Sequence, residues 1–212
     1  MPSETVFKPK QQRSQDTQTK LLAALHSCLQ DKFFEHISIK ELADHAGVSV
    51  GTFYRRFKDK ESLLPLLYQD FGNDLAIWVD NLELSEYHCL QDVIEKISAG
   101  IYQFSMARKS VLRTLHLNSR LHSTLLASDK LVDRKAIYQR LANLLLHFKA
   151  EFTVLEHQKA AENVIFIMIT SLFDKVLYPS LTPAIASDCN AEEFSNELAK
   201  IVLPFLTCKY PK

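Results

Sequence analysis

The chain has 212 residues, equal numbers of acidic and basic side chains, and only four glycines. Glycine makes up about 2% of the chain, against about 7% in an average protein, and tight hairpins, bulges and phosphate-binding loops depend on it. This scarcity argues against β-rich and Rossmann-type folds and favours an all-α protein. The zero formal charge excludes a histone-like polycation, but it is compatible with a local basic patch.

The cysteines lie far apart and form no CxxC pair: Cys28, Cys89, Cys189 and Cys208. We expect reduced thiols, no metal site and no cofactor. The polar N-terminus lacks the apolar core of a signal peptide, and residues 1–12 are predicted to be a disordered arm. The strongest apolar run, residues 164–169, is far shorter than the roughly 20 residues that span a bilayer. A soluble cytoplasmic protein is therefore expected.

Two helices are predicted near the N-terminus. Apolar residues at helical spacing indicate a first amphipathic helix over about residues 14–31. Ser38 and Glu41 have the S-x-x-E spacing of a capping box, which starts a second helix. That helix is expected to end at Gly47, because glycine accepts the left-handed conformation found at helix C-termini.

A third helix is expected after Ser49, a residue type that caps helix N-termini. Two short helices joined by a glycine-containing turn and packed on a longer helix predict a helix-turn-helix motif. An ordinary helical hairpin is the alternative.

The third helix has an unusual outward face. Val48, Phe53 and Phe57 are spaced to point inward. The residues that remain outside are Val50, Gly51, Thr52, Tyr54, Arg55 and Arg56. Glycine inside a helix costs about 1 kcal/mol relative to alanine, but it allows close approach of another backbone. Hydroxyl groups and arginines bind phosphates, and arginine also pairs with guanine. The composition of this face predicts a DNA-binding surface.

Positive charge continues beyond the third helix, since residues 55–60 carry a net charge of +3. Asp59 is expected to cap a fourth helix that begins near Lys60. A lysine at a helix N-terminus lies where the helix dipole already favours a phosphate. A salt bridge within the protein is the alternative role for Lys60.

Residues 39–64 have the sequence IKELADHAGVSVGTFYRRFKDKESLL. This segment resembles the signature of the TetR family of bacterial transcriptional regulators, with its A-x-x-A-G-V-S, G-T-x-Y and F-x-x-K-x-x-L elements. The matching residues are Ala43, Ala46, Gly47, Val48, Ser49, Gly51, Thr52, Phe53, Tyr54, Phe57, Lys60 and Leu63. One departure is Glu35-His36, where many members have a glycine-containing loop.

The resemblance implies specific DNA contacts. Thr52, Tyr54 and Lys60 match phosphate-contacting positions, while Lys40 matches another residue that faces DNA. Positions in or beside the major groove are matched by Val50, Gly51, Arg55 and Arg56. The predicted DNA-binding residues are Lys40, Ser49, Val50, Gly51, Thr52, Tyr54, Arg55, Arg56 and Lys60.

The resemblance also implies a domain organisation. Residues 13–64 form a three-helix DNA-binding domain, and residues 65–212 form a helical ligand-sensing and dimerisation domain. Residues 1–64 carry a net charge of +2 and residues 65–212 a net charge of −2. Helical periodicity supports this for residues 60–81, 90–106, 110–117 and 129–148.

Two apolar stripes are expected to pair with their two-fold mates in a dimer. Their central residues are Ile165, Met168, Ile169, Leu172, Phe173, Leu198, Ile201, Val202 and Phe205. The alternative is that both stripes face the core of a single chain.

A pocket for a small effector is expected among apolar and aromatic residues of the later helices. The candidates are Phe71, Leu75, Trp78, Ile101, Phe104, Met106, Leu112, His116, Tyr138, Leu145, Phe148 and Phe166. Each of these is also compatible with a plain core position.

These expectations together describe a ligand-responsive repressor rather than an enzyme or a membrane protein. It is expected to bind a palindromic operator as a homodimer and to be released by a small hydrophobic effector. A constitutive DNA-binding or architectural protein without a ligand is the alternative. An enzyme is disfavoured because the sequence has no recognisable nucleophile–base or metal constellation.

Overall fold

The computed structural model describes residues 10–121 and 133–208, with side chains from residue 15 onward. Every regular element in these ranges is helical, which confirms the predicted all-α class. The α-helices, numbered in chain order, are α1 (Lys10–Asp31), α2 (Ile39–His45), α3 (Val50–Tyr54), α4 (Leu64–Glu83), α5 (Leu90–Ala107), α6 (Lys109–Leu121), α7 (Arg134–Leu146), α8 (His157–Leu177) and α9 (Ala191–Thr207). Residues 1–9 of the predicted arm lie outside the described residues, whereas residues 10–12 belong to α1.

The described residues form two compact units. The first unit contains residues 10–70 and 113–121, and the second contains residues 71–112 and 133–208. The division falls inside α4, after Asp70, and inside α6, after Leu112. This division groups residues by how closely they pack. The predicted boundary after Leu64 separates two functional domains, and it stays a prediction.

In the first unit, α1 packs on α2 and α2 packs on α3. Leu25 of α1, Leu42 of α2 and Phe53 of α3 are fully buried, and burial of such a side chain stabilises a fold by roughly 1.5–3 kcal/mol. Helix α3 has only five residues, whereas isolated helices shorter than about 12–15 residues are marginal in water. Packing on α2 therefore holds α3 in helical form.

The turn between α2 and α3 has the predicted geometry. Gly47 has a φ of +65°, in the left-handed region, and the amide of Val48 donates to the carbonyl of Ala43 at 2.9 Å. Ser49 then caps α3 by accepting a hydrogen bond from the amide of Thr52 at 3.1 Å. These contacts fix the direction in which α3 leaves the turn.

The predicted capping box of α2 is only half formed. Ser38 accepts a hydrogen bond from the amide of Glu41 at 3.1 Å. The carboxylate of Glu41, however, lies 2.6 Å from the ammonium of Lys32 at the end of α1. The Glu41 carboxylate therefore pairs with Lys32 and does not accept a hydrogen bond from the Ser38 amide, as it would in a complete capping box.

In the second unit, α5 packs against α7, α8 and α9 around a shared apolar core. Leu141 of α7 and Met168 of α8 are fully buried there. A buried hydrogen bond from the hydroxyl of Ser98 to the carbonyl of Ser195, at 2.6 Å, joins α5 to α9.

A buried lysine organises the segment between α8 and α9. Lys175 is only 5% exposed. Its ammonium donates to the carbonyls of Ala184, Ser187 and Cys189 at 2.7, 2.6 and 3.0 Å. An ammonium has three N–H groups, so these contacts use all of them and fix an irregular segment on α8.

The Lys175→Met variant tests this role, because methionine keeps an unbranched side chain but donates no hydrogen bond. Loss of donors to three carbonyls is expected to lower the free energy of unfolding by about 2–4 kcal/mol. Urea unfolding of the full chain measures the loss, and hydrogen exchange at residues 184–189 locates it. The control Lys200→Met breaks an exposed pair with Glu197, and we expect it to leave the free energy of unfolding nearly unchanged. Equal stabilities of the two variants would contradict the role of Lys175.

Candidate nucleic-acid interface

The outward face of α3 matches the predicted face in part, since Val50, Gly51, Tyr54 and Arg55 are exposed whereas Thr52 and Arg56 are half-buried. Phe53 is fully buried, whereas Tyr54 is 56% and Val50 37% exposed. Gly51 and Arg55 are also exposed, as is Lys40 on α2. A contiguous stretch of backbone and side chains on α3 is thus accessible to a large partner.

A chain of hydrogen bonds runs along this face. The Ser49 hydroxyl lies 2.9 Å from the Thr52 hydroxyl, and the Arg55 guanidinium donates to Thr52 Oγ1 at 2.8 Å. This last bond uses one of the five guanidinium N–H groups. Arg55 is therefore oriented before any partner binds. Thr52, which orients it, is half-buried.

Tyr54 is held by its ring. The Tyr54 ring meets the ring of Phe53 edge-on, with centroids 5.7 Å apart and planes at 86°. Since Phe53 is anchored in the core, this contact limits the orientations of the exposed tyrosine. Its hydroxyl can donate a hydrogen bond to a phosphate oxygen.

Lys60 has a different role from the one predicted. Its ammonium donates to the carbonyls of Phe34, Glu35 and Ile37 at 2.9, 2.8 and 3.1 Å. It also lies 4.9 Å from the centroid of the Phe34 ring. All three N–H groups are engaged by the backbone, so the side chain neither points outward, as a phosphate contact requires, nor forms the alternative salt bridge.

Lys60 thereby stabilises the segment after α1, where a short 3-10 helix covers Phe34–His36. This is the position at which the sequence departs from the glycine-containing loop of the TetR pattern. Asp59 caps the segment that follows, because it accepts hydrogen bonds from the amide and hydroxyl of Ser62 at 2.9 and 2.6 Å. That segment is a 3-10 helix, Lys60–Leu63, and the fourth α-helix, predicted to begin near Lys60, begins at Leu64. The hydroxyl bond is the main cause that lowers the pKa of Asp59.

Some of the predicted effector-pocket residues pack against one another. The Phe104 ring lies 5.5 Å from the Phe71 ring and 5.3 Å from the Trp78 ring, which it stacks on. The buried candidates are Phe71, Leu75, Ile101, Leu112 and Leu145, and the half-buried ones are Trp78, Phe104, His116, Tyr138 and Phe148. Met106 and Phe166 are exposed. His116 lies in the first unit, unlike the other candidates.

An open cleft of about 440 Å³ lies between α7 and α8. It contains one predicted effector residue, Tyr138, and one predicted dimer residue, Ile165, and its other lining residues are Arg134, Lys135, Gln139 and Glu162. Burial raises the pKa of Tyr138 and lowers the pKa of Arg134. Arg134 was not among the predicted pocket residues, although its i, i+4 spacing from Tyr138 places both side chains on one face of α7.

The predicted dimer residues separate by burial into three groups. Those buried in the single chain are Ile165, Met168, Leu172, Leu198 and Val202. These residues face the core of the single chain, which is the alternative to the predicted dimer interface. Ile169 and Phe173 are half-buried. Ile201 and Phe205 are exposed, as is Phe166 of α8, so this subset is available to another chain.

Comparisons with known proteins extend these observations. Residues 21–73 match the family model described as bacterial regulatory proteins, tetR family. An HTH-type transcriptional regulator of Staphylococcus aureus strain USA300 is 28% identical over 92 residues, which are 42% of this chain and 48% of that protein. The chain thus spans about half the length of the relatives it matches in sequence.

Solved structures resemble the chain over nearly its whole length. The TetR-family regulator PfmR of Thermus thermophilus has a TM-score of 0.61 at 16% identity, covering 90% of this chain and 99% of its own. A regulatory protein of the tetR family from Rhodococcus RHA1 has a TM-score of 0.64 at 14% identity, covering 92% and 98%. At such identities the likeness shows the fold. None of the helices in the described ranges combines the length and apolar composition needed to cross a membrane.

Gly51 is not required by packing within the chain, and this can be tested. A Cβ atom added at Gly51 would meet only Ser49 Oγ, at 3.8 Å. Gly51→Ala is therefore expected to stabilise the protein by about 0.5–1 kcal/mol. In the control Gly100→Ala, the added atom would lie 3.1 Å from the Trp78 ring, and we expect a smaller gain or a loss. Thermal unfolding compares the two, and a destabilised Gly51→Ala protein would contradict the open surroundings of this residue.

Proposed function

We propose that this chain, whose residues 21–73 match the model of the tetR family of bacterial regulatory proteins, is a transcriptional repressor that binds a palindromic DNA operator as a homodimer. In this proposal a small hydrophobic effector binds the second unit and releases the DNA. The observation that carries the proposal is the exposed face of α3, where Gly51, Tyr54 and Arg55 are presented on a helix anchored by buried Phe53.

Each residue of this face has a chemical role in the proposed complex. Arg55, preoriented by Thr52, donates to a guanine edge in the major groove. Exposed Val50 contacts a thymine methyl group, and Gly51 allows the helix backbone to approach the DNA. The hydroxyl of Tyr54 and the ammonium of Lys40 bind backbone phosphates.

Lys60 contributes indirectly. Its bonds to the carbonyls of residues 34, 35 and 37 fix the segment that leads into α2. We therefore assign it the positioning of α2 rather than a phosphate contact.

A two-fold dimer would place two copies of α3 in successive major grooves, about 34 Å apart. The exposed residues Phe166, Ile201 and Phe205 support an interface on α8 and α9. Burial of aromatic and branched side chains is the main source of stability in such interfaces.

The cleft between α7 and α8 is the proposed effector site. Tyr138 and Ile165 supply apolar surface there, while Arg134 and Glu162 supply polar groups that orient a ligand. An effector changes DNA affinity only if it binds the two conformations of the protein with different affinities. Helices α4 and α6 contain residues of both units, so they are the proposed route of coupling.

Two substitutions on α3 separate specific from nonspecific binding. Tyr54→Phe removes a phosphate contact, so it should weaken binding to all duplexes about equally. Arg55→Ala removes a base contact and should cost about 1–3 kcal/mol on the preferred duplex while relaxing its sequence preference. Fluorescence anisotropy with a preferred and a scrambled duplex measures both effects.

The matched control for Arg55→Ala is Lys159→Ala, which removes an exposed cation at the start of α8. It should leave both affinities unchanged. If the two α3 variants bind both duplexes as the wild type does, the assignment of α3 as the recognition helix is wrong.

The dimer proposal predicts that Ile201→Asp weakens self-association at least about tenfold, because a carboxylate would be buried in an apolar interface. Leu155→Asp is the control, since Leu155 is 97% exposed and outside the proposed interface. Sedimentation velocity over a range of concentrations gives the dissociation constants. Equal constants for the two variants would place the interface elsewhere.

A further inference from the structure

Three potential metal ligands meet in the first unit. The Sγ atom of Cys28, a carboxylate oxygen of Glu41 and a ring nitrogen of His45 all lie within 4.8 Å of one another. Cys28 is buried, Glu41 is half-buried and His45 is exposed. The cluster therefore extends from the core between two helices to the surface.

The fold explains why these residues meet. Glu41 and His45 are four residues apart on α2, so their side chains project from one face of the helix. Because α2 packs on α1, that face lies against Cys28. This cluster departs from the expectation of no metal site, because the third ligand depends on the packing of α1 on α2 and not on spacing along the sequence.

The donor set is selective. A thiolate, an imidazole and a carboxylate together suit borderline ions such as Zn²⁺ and Co²⁺, and a thiolate does not suit Mg²⁺ or Ca²⁺. Zinc bonds of about 2.3 Å to sulfur and about 2.0–2.2 Å to nitrogen and oxygen place tetrahedral ligand atoms roughly 3.3–3.6 Å apart. The distances between the three ligand atoms, which are at most 4.8 Å, would have to shorten by at most about 1.5 Å. His45 is exposed, so its side chain has room to turn.

Lys32 competes for one ligand. Its ammonium lies 2.6 Å from Glu41 Oε1, and the hydrogen bond it donates is the main cause that lowers the pKa of Glu41. Both side chains of this ion pair are partly exposed to solvent, and exposed ion pairs add little to stability, so displacement of the lysine is a small obstacle.

The thiol must lose a proton. Burial is the main cause that raises the pKa of Cys28, so the group is protonated without a metal. When Sγ binds the ion, the proton passes to solvent and the thiolate becomes a ligand. No electron transfer is required, and water supplies the fourth ligand of a tetrahedral site.

We propose that Cys28, Glu41 and His45 form a binding site for Zn²⁺ that joins α1 to α2. The bound ion links the long first helix directly to the helix that precedes the turn. It also replaces the contact between Lys32 and Glu41 with stronger coordination bonds. The proposal does not depend on DNA binding or on an effector.

Cobalt titration of the full chain, freed of any affinity tag and of metal, tests the site. Co²⁺ bound through a thiolate gives a charge-transfer band in the near ultraviolet, and its visible bands report tetrahedral coordination. We expect both bands to saturate at one ion per chain and to disappear when Zn²⁺ is added. A protein that shows no charge-transfer band would overturn the proposal.

Variants identify the ligands. Cys28→Ser should abolish the charge-transfer band, and His45→Gln should lower the Co²⁺ affinity by at least about tenfold. The controls Cys208→Ser and His36→Gln alter an exposed cysteine and an exposed histidine outside the cluster and should bind as the wild type does.

Buried Cys28 contributes to packing, so circular dichroism is recorded for each variant. His45 is exposed, and His45→Gln therefore keeps the test valid if Cys28→Ser fails to fold. Wild-type affinity in His45→Gln, or equal losses in the control variants, would show that the ion binds elsewhere and would overturn the site.

Discussion

The burial of Phe53 is the interaction on which the proposed recognition surface depends. Helix α3 is too short to persist alone, and Phe53 is its one buried residue. The rings of Tyr54 and Phe57 lie 5.7 and 5.5 Å from the Phe53 ring, and Ser49 caps the helix. The side chains that face outward thus rest on a fixed frame, which lowers the entropic cost of ordering them on a partner.

Two lysines serve the fold in the same way. Lys60 in the first unit and Lys175 in the second each donate three hydrogen bonds to backbone carbonyls of a segment that lies between α-helices. Net charge therefore overstates the positive charge available to DNA around residues 55–60. The exposed cations left for that role in this part of the chain are Arg55, Lys58 and Lys40.

Local features could be predicted from the sequence, because neighbouring residues determine them. The cap by Ser49, the left-handed Gly47 and the buried Phe53 all follow from short-range pattern and are present. Long-range partners could not be predicted. Helix packing decides which partners such residues meet. It brings Lys32 to Glu41, backbone carbonyls to Lys60, and Met168 into the core of a single chain. An apolar stripe alone does not distinguish a core from an interface.

In the proposed complex, the exposed face of α3 recognises a specific DNA sequence with two-fold symmetry. Selection of bound duplexes from a random pool by the purified full chain tests this recognition. We expect enrichment of an inverted repeat with half-site centres about one helical turn or a multiple of it apart, and the Arg55→Ala variant should lose the preference at one position of each half-site. A pool that stays random with the wild-type chain would show that α3 does not recognise a specific sequence.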